Sequence, residues 1–203
     1  MMNRLISLLV MALATIAAWA DSPLTSTHFA DTYADEQMVQ LAAASEGELS
    51  PALMNFLADA DAPVDVRLAV VNKLGWNFDG KTTIDDFNAY LKQRYNAKDE
   101  DELARRLNAK TLAVYAYIRA MANYFNVNQA SQLAHMALDK NSDNSFSVAF
   151  IASLIDAQIY LDSDWAMVYK VVADVLADDT LNRDMRPAAI DAVMEYINLY
   201  KDY

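Results

Sequence analysis

Three oxygen-bearing side chains alternate along one short segment, at Asp139, Asn141 and Asp143, between two stretches with helical hydrophobic periodicity. Carboxylate and amide oxygens in this spacing can converge on a hard cation, as they do in helix–loop–helix calcium sites. Two positions depart from that pattern, because Asn144 replaces the usual turn glycine and Phe150 replaces the bidentate glutamate. The segment is therefore a weak metal candidate, and the favoured interpretation is a helix end followed by side-chain capping of the next helix.

The aromatic residues are a second possible source of binding chemistry. The chain contains 11 Tyr, 7 Phe and 3 Trp. Most of them, including Tyr124 and Phe125, fall at helical spacing, which predicts packing in a core. Trp76 and Phe78 instead lie beside the turn at Gly75, where a large side chain can escape burial and contact a sugar ring or a peptide. Trp76 and Phe78 are therefore the predicted partner-binding residues.

Residues capable of acid, base or nucleophilic catalysis are present, but they form no recognisable catalytic motif. Residues 99–102 and 178–179 are acidic runs that could supply the paired carboxylates of a glycoside hydrolase. The first run opens a predicted helix, where negative charge complements the helix dipole, so a solvated first turn is favoured. His28 and His135 each lack the nearby second ligand that a zinc site requires. With 3 glycines and no Gly-x-Ser-x-Gly sequence, we assign no catalytic residue and no cofactor.

The overall charge is strongly negative. Lys and Arg total 16 against 28 Asp and Glu, which gives a formal net charge of −12. Nucleic-acid binding needs a basic surface that displaces counterions from phosphates, and an anionic bilayer repels a chain of this sign. The absence of cysteine excludes disulfides, thiolate nucleophiles and cysteine-ligated metals. Neither nucleic acid nor a membrane surface is therefore an expected partner, and stability must come from packing.

The first 20 residues have the three-part pattern of a signal peptide. Arg4 precedes an apolar run over residues 5–18, and small residues lead to Ala20 before the polar Asp21. The alternative is a membrane anchor, but the apolar run is shorter than the about 20 residues that a spanning helix needs. Cleavage after Ala20 would leave residues 21–203 as a single helical domain with a net charge of −13. We therefore expect an exported protein, either periplasmic or secreted.

The hydrophobic pattern predicts an all-α fold with about eight to ten helices. All 3 glycines precede residue 81, and helix formers are abundant throughout. Ser50 and Pro51 are typical of a helix start, and Gly75 of a helix end. Residues 99–125 fit either one long helix or two helices broken near Asn108. The helix over residues 145–161 is apolar on several faces, as a central helix would be. A further helix begins at Thr83, and the others are predicted over residues 26–44, 62–75, 128–138, 164–177 and 185–200.

Two blocks of similar sequence are separated by a constant offset of 119 residues. Residues 57–59 and 65–71 correspond to residues 176–178 and 184–190. A common offset in two blocks suggests two copies of one helix–turn–helix unit, and chance similarity between alanine-rich helices is the alternative.

The first copy resembles the second half of a HEAT-type helical repeat over residues 61–75. The resemblance rests on Asp61, Pro63, Val66-Arg67 and Leu74-Gly75, which stand in the order that this family uses. It implies that Asp61 and Arg67 bridge adjacent units, and it assigns no catalytic role. The second copy has Thr180 in place of Asp61. The resemblance thus implies an irregular right-handed superhelix of antiparallel helix pairs, a HEAT/TPR-like α-solenoid.

The expected function follows from that architecture. Helical-repeat proteins generally present a concave surface to a protein or peptide partner. We therefore expect an exported, non-enzymatic protein that mediates protein–protein or peptide interaction. The alternatives are a glycan- or calcium-binding module, which would use Trp76 and Phe78 or the loop at Asp139, and an extracytoplasmic hydrolase with carboxylate catalysis.

Overall fold

The computed structural model describes residues 21–77 and 80–203. Within these residues the regular structure is helical, so the predicted all-α class is confirmed. Short 3₁₀ turns lie at Phe29–Tyr33 and Asn198–Tyr200. The ten α-helices of the described chain are Gln37–Ala44 (α1), Pro51–Leu57 (α2), Val64–Leu74 (α3), Thr83–Tyr95 (α4), Glu100–Arg106 (α5), Ala109–Ala122 (α6), Asn128–Asp139 (α7), Phe146–Tyr160 (α8), Trp165–Ala177 (α9) and Pro187–Ile197 (α10).

Local capping explains where several helices begin and end. Ser50 accepts a hydrogen bond from the backbone N–H of Leu53 at the start of α2, as its sequence predicts. Gly75 ends α3 with a φ of 69°, a conformation that favours glycine. Asn108 caps α6 by accepting from Thr111 N at 2.8 Å. This cap divides residues 99–125 into two helices and decides between the two interpretations left open by the periodicity.

The predicted helix over residues 26–44 is instead a 3₁₀ turn followed by α1. Phe29 and Tyr33 in the turn are fully buried, and the Tyr33 hydroxyl donates to Asp65 Oδ2 at 2.9 Å. Glu36 then has extended backbone before α1 begins. Contacts with residues distant in sequence therefore override the local helical preference.

The core is centred on α3, α6 and α8, which contact one another pairwise. In α6, 12 of its 14 residues are buried, and in α8, 11 of 15. The central position predicted for the helix over 145–161 is therefore confirmed. Within α8, Phe146 stacks on Phe150 with ring centroids 5.0 Å apart.

One buried amide joins the N-terminal segment to this core. Asn72 Oδ1 accepts from Ala30 N at 3.0 Å, and Asn72 Nδ2 donates to Thr27 O and to the Tyr117 hydroxyl, both at 2.9 Å. Asn72 is 8% exposed and Tyr117 is fully buried. Because buried polar groups need partners, this amide holds the N-terminal segment in one position against α3 and α6.

Arg186 joins the two ends of the described chain. Its guanidinium donates to Asp35 Oδ1 and Glu36 Oε1, each at 2.5 Å, and lies 4.4 Å from the centre of the Tyr33 ring. Arg186 is 151 positions from Asp35 and 150 positions from Glu36 along the chain. In a solenoid each repeat contacts only its neighbours, so contacts over this sequence separation are not ones that the predicted superhelix requires. The right-handed superhelix stays a prediction.

Arg67, one of the two residues that the HEAT resemblance places between units, is fully buried in α3. Its Nη1 donates to Leu57 O at 3.4 Å and to Thr111 Oγ1 at 3.2 Å, while its Nε and Nη2 have no partner in the described chain. Burial lowers the pKa of Arg67 to about 10. Asp61, the other residue, is exposed and donates its backbone N–H to Asp59. The family resemblance itself stays a prediction.

Candidate functional site

Three neighbouring clefts lie in a row, and the turn that joins α6 to α7 forms part of the wall of the first two. The first, of about 710 Å³, lies between this turn, the C-terminal end of α8 and the segment at Asp21 and Ser22. The second, of about 540 Å³, lies between the same turn and the start of α4. The third, of about 680 Å³, lies between the start of α4 and the α1–α2 loop. Because each cleft shares wall residues with the next, we treat them as one elongated depression and call it the trough.

An aromatic ridge, made of Trp76, Tyr124 and Phe125, borders the trough. Trp76 packs edge to face on Tyr124 at a centroid distance of 5.1 Å, and Tyr124 lies 4.2 Å from Phe125. Tyr124 is 3% exposed, whereas Phe125 is 57% exposed. Tyr124 and Phe125 line both the first and the second cleft. The ridge therefore presents one phenyl ring to solvent between two concave surfaces.

The end of α6 determines which of these rings is exposed. The helix stops at Ala122, and Asn123 leaves it with a φ of −148°. The backbone N–H of Asn126 then bonds to Asn123 O at 3.2 Å and closes a turn. In this turn Tyr124 is buried at the edge of the clefts, whereas Phe125 is exposed. The predicted extension of the helix to Phe125 is therefore wrong by three residues, and these three include both ring-bearing residues of the turn.

Side-chain amides line the first cleft beside the ridge. Asn126 and Asn128 are exposed, and Gln158 is half-buried near the end of α8. Asn126 Oδ1 accepts from Asn128 N at 3.4 Å, and Gln158 Oε1 accepts from Leu24 N at 3.4 Å. Their amide NH₂ groups make no hydrogen bond to any other described residue. The cleft therefore offers uncharged donors to a ligand lying against Phe125.

An ion-paired arginine forms part of the second cleft. Arg119 pairs with Glu100 and donates to Gln129 Oε1 at 2.9 Å. The Tyr115 hydroxyl also donates to Glu100 Oε1, at 2.7 Å. Burial and this hydrogen bond raise the pKa of Tyr115 well above its ordinary value. Arg119 is thus held by α5 and α7 and is not a free cation for a ligand.

Two of the three side chains of the predicted metal loop, Asn141 and Asp143, are engaged in contacts within the protein. Asn141 Oδ1 accepts from Ser145 N at 3.0 Å, and Asn141 Nδ2 donates back to Ser145 O at 3.0 Å. Asp143 Oδ2 pairs with Lys110 at 2.5 Å, and Asp139 is exposed. Asn144 has a φ of 52°, the left-handed turn conformation that asparagine tolerates. No group of three or more His, Asp or Glu side chains among the described residues is arranged to hold a metal ion.

Calcium is therefore expected to leave the melting temperature unchanged. A ligand that binds only the folded state raises stability by about 2.7 kcal/mol at 100 times its dissociation constant, so binding would be visible. The measurement is a thermal melt with increasing calcium, with magnesium as the ionic-strength control. A calcium-specific rise that Asp139→Asn abolishes would contradict this prediction.

Of the two predicted partner-binding residues, Trp76 and Phe78, the structure describes only Trp76. Trp76 is half-buried against Tyr124 and lines the third cleft. Phe78 lies outside the described residues. Phe125 was predicted to belong to the core because of its helical spacing, yet it is the more exposed ring. The signal that could have identified it is Asn123 with Asn126, since asparagines three residues apart favour a turn.

The acidic runs and histidines have structural contacts. Asp99 caps α5 by accepting from Glu102 N at 2.7 Å, as expected for a first turn. Asp178 accepts from the backbone and hydroxyl of Thr180, at 2.9 and 2.6 Å. His135 Nε2 lies 3.0 Å from Asp156 Oδ2. His28 is exposed and lines a smaller cleft of about 240 Å³.

Two carboxylates, those of Asp21 and Asp162, line the first cleft. Both residues are exposed, and Asp21 Oδ1 accepts from Ser26 Oγ at 2.6 Å. Both carboxylates are therefore in contact with solvent at the wall of this cleft.

None of the helices in the described ranges combines the length and apolar character needed to cross a bilayer. The trough, with its aromatic ridge and amide-lined wall, is the candidate functional site of these ranges. Comparison of the chain with protein-family models, curated proteins and solved structures finds no match.

Proposed function

We propose that this protein is a non-enzymatic binding protein that holds an extended segment of a partner polypeptide in the trough. It acts outside the cytoplasm after removal of residues 1–20, as the signal-peptide pattern predicts. The helices serve as a rigid frame, and the chemistry of the site is recognition without covalent change. The helical-repeat superhelix remains the expected form of that frame.

The observation that carries this proposal is the exposure of Phe125 between two clefts. An aromatic ring that is 57% exposed leaves apolar surface in water, and covering it with a partner side chain is favourable. Aromatic residues in the centre of a contact surface commonly supply most of the binding energy. A partner that crosses the ridge would cover Phe125 and enter the clefts on both sides.

The shape and polarity of the trough favour a peptide over a compact ligand. The clefts follow one another from the end of α8 to the α1–α2 loop, which suits a chain that crosses several of them. Each peptide unit offers one carbonyl acceptor and one N–H donor. The amide groups of Asn126, Asn128 and Gln158 can pair with such units without selecting a side chain.

The test is selection of peptides of about a dozen residues from a random displayed library on the protein, residues 21–203. Phe125→Ala is expected to weaken the selected peptides at least about 10-fold, or ~1.4 kcal/mol, as for a central aromatic contact. Leu199→Ala is the matched control, because Leu199 is 64% exposed and lies outside the walls of the trough. Affinities are measured by fluorescence anisotropy.

Two outcomes would contradict the proposal. One is that no selected peptide depends on Phe125 more than on Leu199. The other is that a glycan panel binds through Phe125 while peptides do not, which would assign the ridge to sugar stacking.

A further inference from the structure

Unpaired acidic side chains stand at both ends of the trough. Asp21 and Asp162 line the first cleft, and the described residues of its wall include no base. Glu46, Glu48 and Asp86 line the third cleft. All five are exposed, and none forms an ion pair with another described residue. Their charge is therefore directed to solvent and to whatever occupies the trough.

The basic residues of the trough are already committed to the protein itself. Lys81 donates its ammonium to the backbone carbonyl of Leu74 at the end of α3, and burial lowers its pKa. Lys73 pairs with Asp31 at 2.8 Å. Arg119 pairs with a carboxylate of α5, as described above. Lys73 and Arg119 are paired with carboxylates, and Lys81 is the one base of these walls whose described partner is a carbonyl. The five exposed acids outnumber it, so a ligand meets a net negative surface at both ends.

A buried hydroxyl beside the ridge has no hydrogen-bond partner among residues 21–77 and 80–203. Tyr124 is 3% exposed, lines the first and second clefts, and its hydroxyl makes no hydrogen bond to any described residue. A buried polar group without a partner costs about 1–3 kcal/mol, and an occupant of the trough that supplies the missing bond would remove this cost. The Tyr124 hydroxyl is independent of the acidic residues and places a polar ligand atom next to Phe125.

From these observations, and resting on the proposed function, we infer that the trough takes a basic peptide. The peptide places an apolar or aromatic residue over Phe125, a backbone group on the Tyr124 hydroxyl, and Lys or Arg toward both ends of the trough. The net charge of −13 carried by residues 21–203 attracts such a peptide from a distance, and the exposed acids make binding weaken as salt screens them.

The direct probes are three fluorescein-labelled peptides that share a central Trp in a Gly/Ser background. They differ only in their flanks, which carry two Lys, two Gln or two Glu on each side. The Lys peptide is expected to bind at least about 10-fold more tightly than the Gln peptide at about 0.15 M salt, and the Glu peptide not at all. Raising the salt should reduce the difference between the Lys and Gln peptides.

Matched variants separate the trough from a general attraction of cations to an acidic protein. Glu48→Gln combined with Asp162→Asn removes one acid from each end and leaves Asp21, Glu46 and Asp86, so the affinity for the Lys peptide should fall at least about threefold while that for the Gln peptide stays the same. Asp191→Asn combined with Glu195→Gln removes the same charge from the exposed surface of α10 and should leave the affinity within twofold. Tyr124→Phe should weaken the Lys and Gln peptides equally, by about fivefold, without lowering the melting temperature, because its hydroxyl has no partner to lose.

The result distinguishes this inference from the proposed function. Equal binding of the three peptides, or equal loss from both double variants, overturns the basic-peptide inference. If library selection yields Phe125-dependent peptides that are neutral or acidic, the proposed function stands and the inference alone fails. If no peptide depends on Phe125, both fail.

Discussion

Raising the pH above about 10.5 is expected to lower the free energy of unfolding steeply. Tyr33, Tyr115, Tyr117 and Tyr196 are all at most 7% exposed, and burial raises the pKa of each far above the ordinary value of 10.0. Above pH 10.0 the unfolded chain releases these protons while the native state keeps them. A raised native pKa is a stabilisation that is complete below the unfolded pKa and lost as the pH rises, so alkali favours unfolding.

Three basic residues have lowered native pKa values, which has the opposite effect on the pH dependence of stability, but the buried tyrosines outnumber them. Burial lowers the pKa of Lys81 and Lys140, and their influence ends near pH 10.5, where the unfolded lysines also lose their protons. Burial lowers the pKa of Arg67 to about 10, against 12.5 in the unfolded chain. Above pH 10.5 the native state keeps four tyrosine protons that the unfolded chain has released, and it loses one proton from Arg67 that the unfolded chain keeps. The native state therefore holds about three more protons than the unfolded chain. The free energy of unfolding should then fall by about 4 kcal/mol per pH unit.

The measurement is urea unfolding at a series of pH values, followed by circular dichroism and by phenolate absorbance. Tyr117→Phe should reduce the slope by about 1.4 kcal/mol per pH unit, one proton's share. Tyr203→Phe should leave it unchanged, since Tyr203 is 66% exposed. A free energy of unfolding that is the same at about pH 9 and pH 11 would show that the buried tyrosines ionise without unfolding.

Asn72→Leu should be the most destabilising single polar substitution in the core, at about 3 kcal/mol. Leucine has a similar shape and keeps the packing, but Ala30 N and the Tyr117 hydroxyl lose their hydrogen-bond partners in a buried setting. Thr27 O keeps its bond from Phe29 N at 3.0 Å, so two groups and not three are left unsatisfied.

Tyr117→Phe is the comparison for this prediction. It removes one hydroxyl and leaves Asn72 bonded to Ala30 and Thr27, so a cost of about 1 kcal/mol is expected. Both variants are compared by urea unfolding near neutral pH. If Asn72→Leu cost no more than Tyr117→Phe, the amide would not be holding the N-terminal segment in place.

Sequence reasoning predicted those features of the fold that depend on neighbouring residues. Ser50 with Pro51, and Gly75, identify helix ends because capping acts within a few positions. The 3₁₀ turn at Phe29–Tyr33 could not be predicted in this way. It depends on the burial of Tyr33 between Asp65 and Arg186, and no local pattern contains that contact.

The candidate site was predicted only in part for a related reason. Trp76 and Phe78 were chosen because they lie beside a glycine turn, and Trp76 does line the trough. Phe125 was assigned to the core because hydrophobic spacing continues past Ala122, where α6 ends. Periodicity identifies the face of a helix but not the residue at which the helix stops, and that residue decides whether Phe125 faces water.

The contacts of Arg186 with Asp35 and Glu36 also determine when folding can be completed. Their partners are separated by most of the described chain, so these contacts cannot form in a nascent polypeptide until Arg186 itself has been synthesised. Closing so long a loop is entropically costly and slow compared with forming local helices. The first residues of the domain therefore gain their final neighbours late in folding, after the local helices between them and Arg186 have formed.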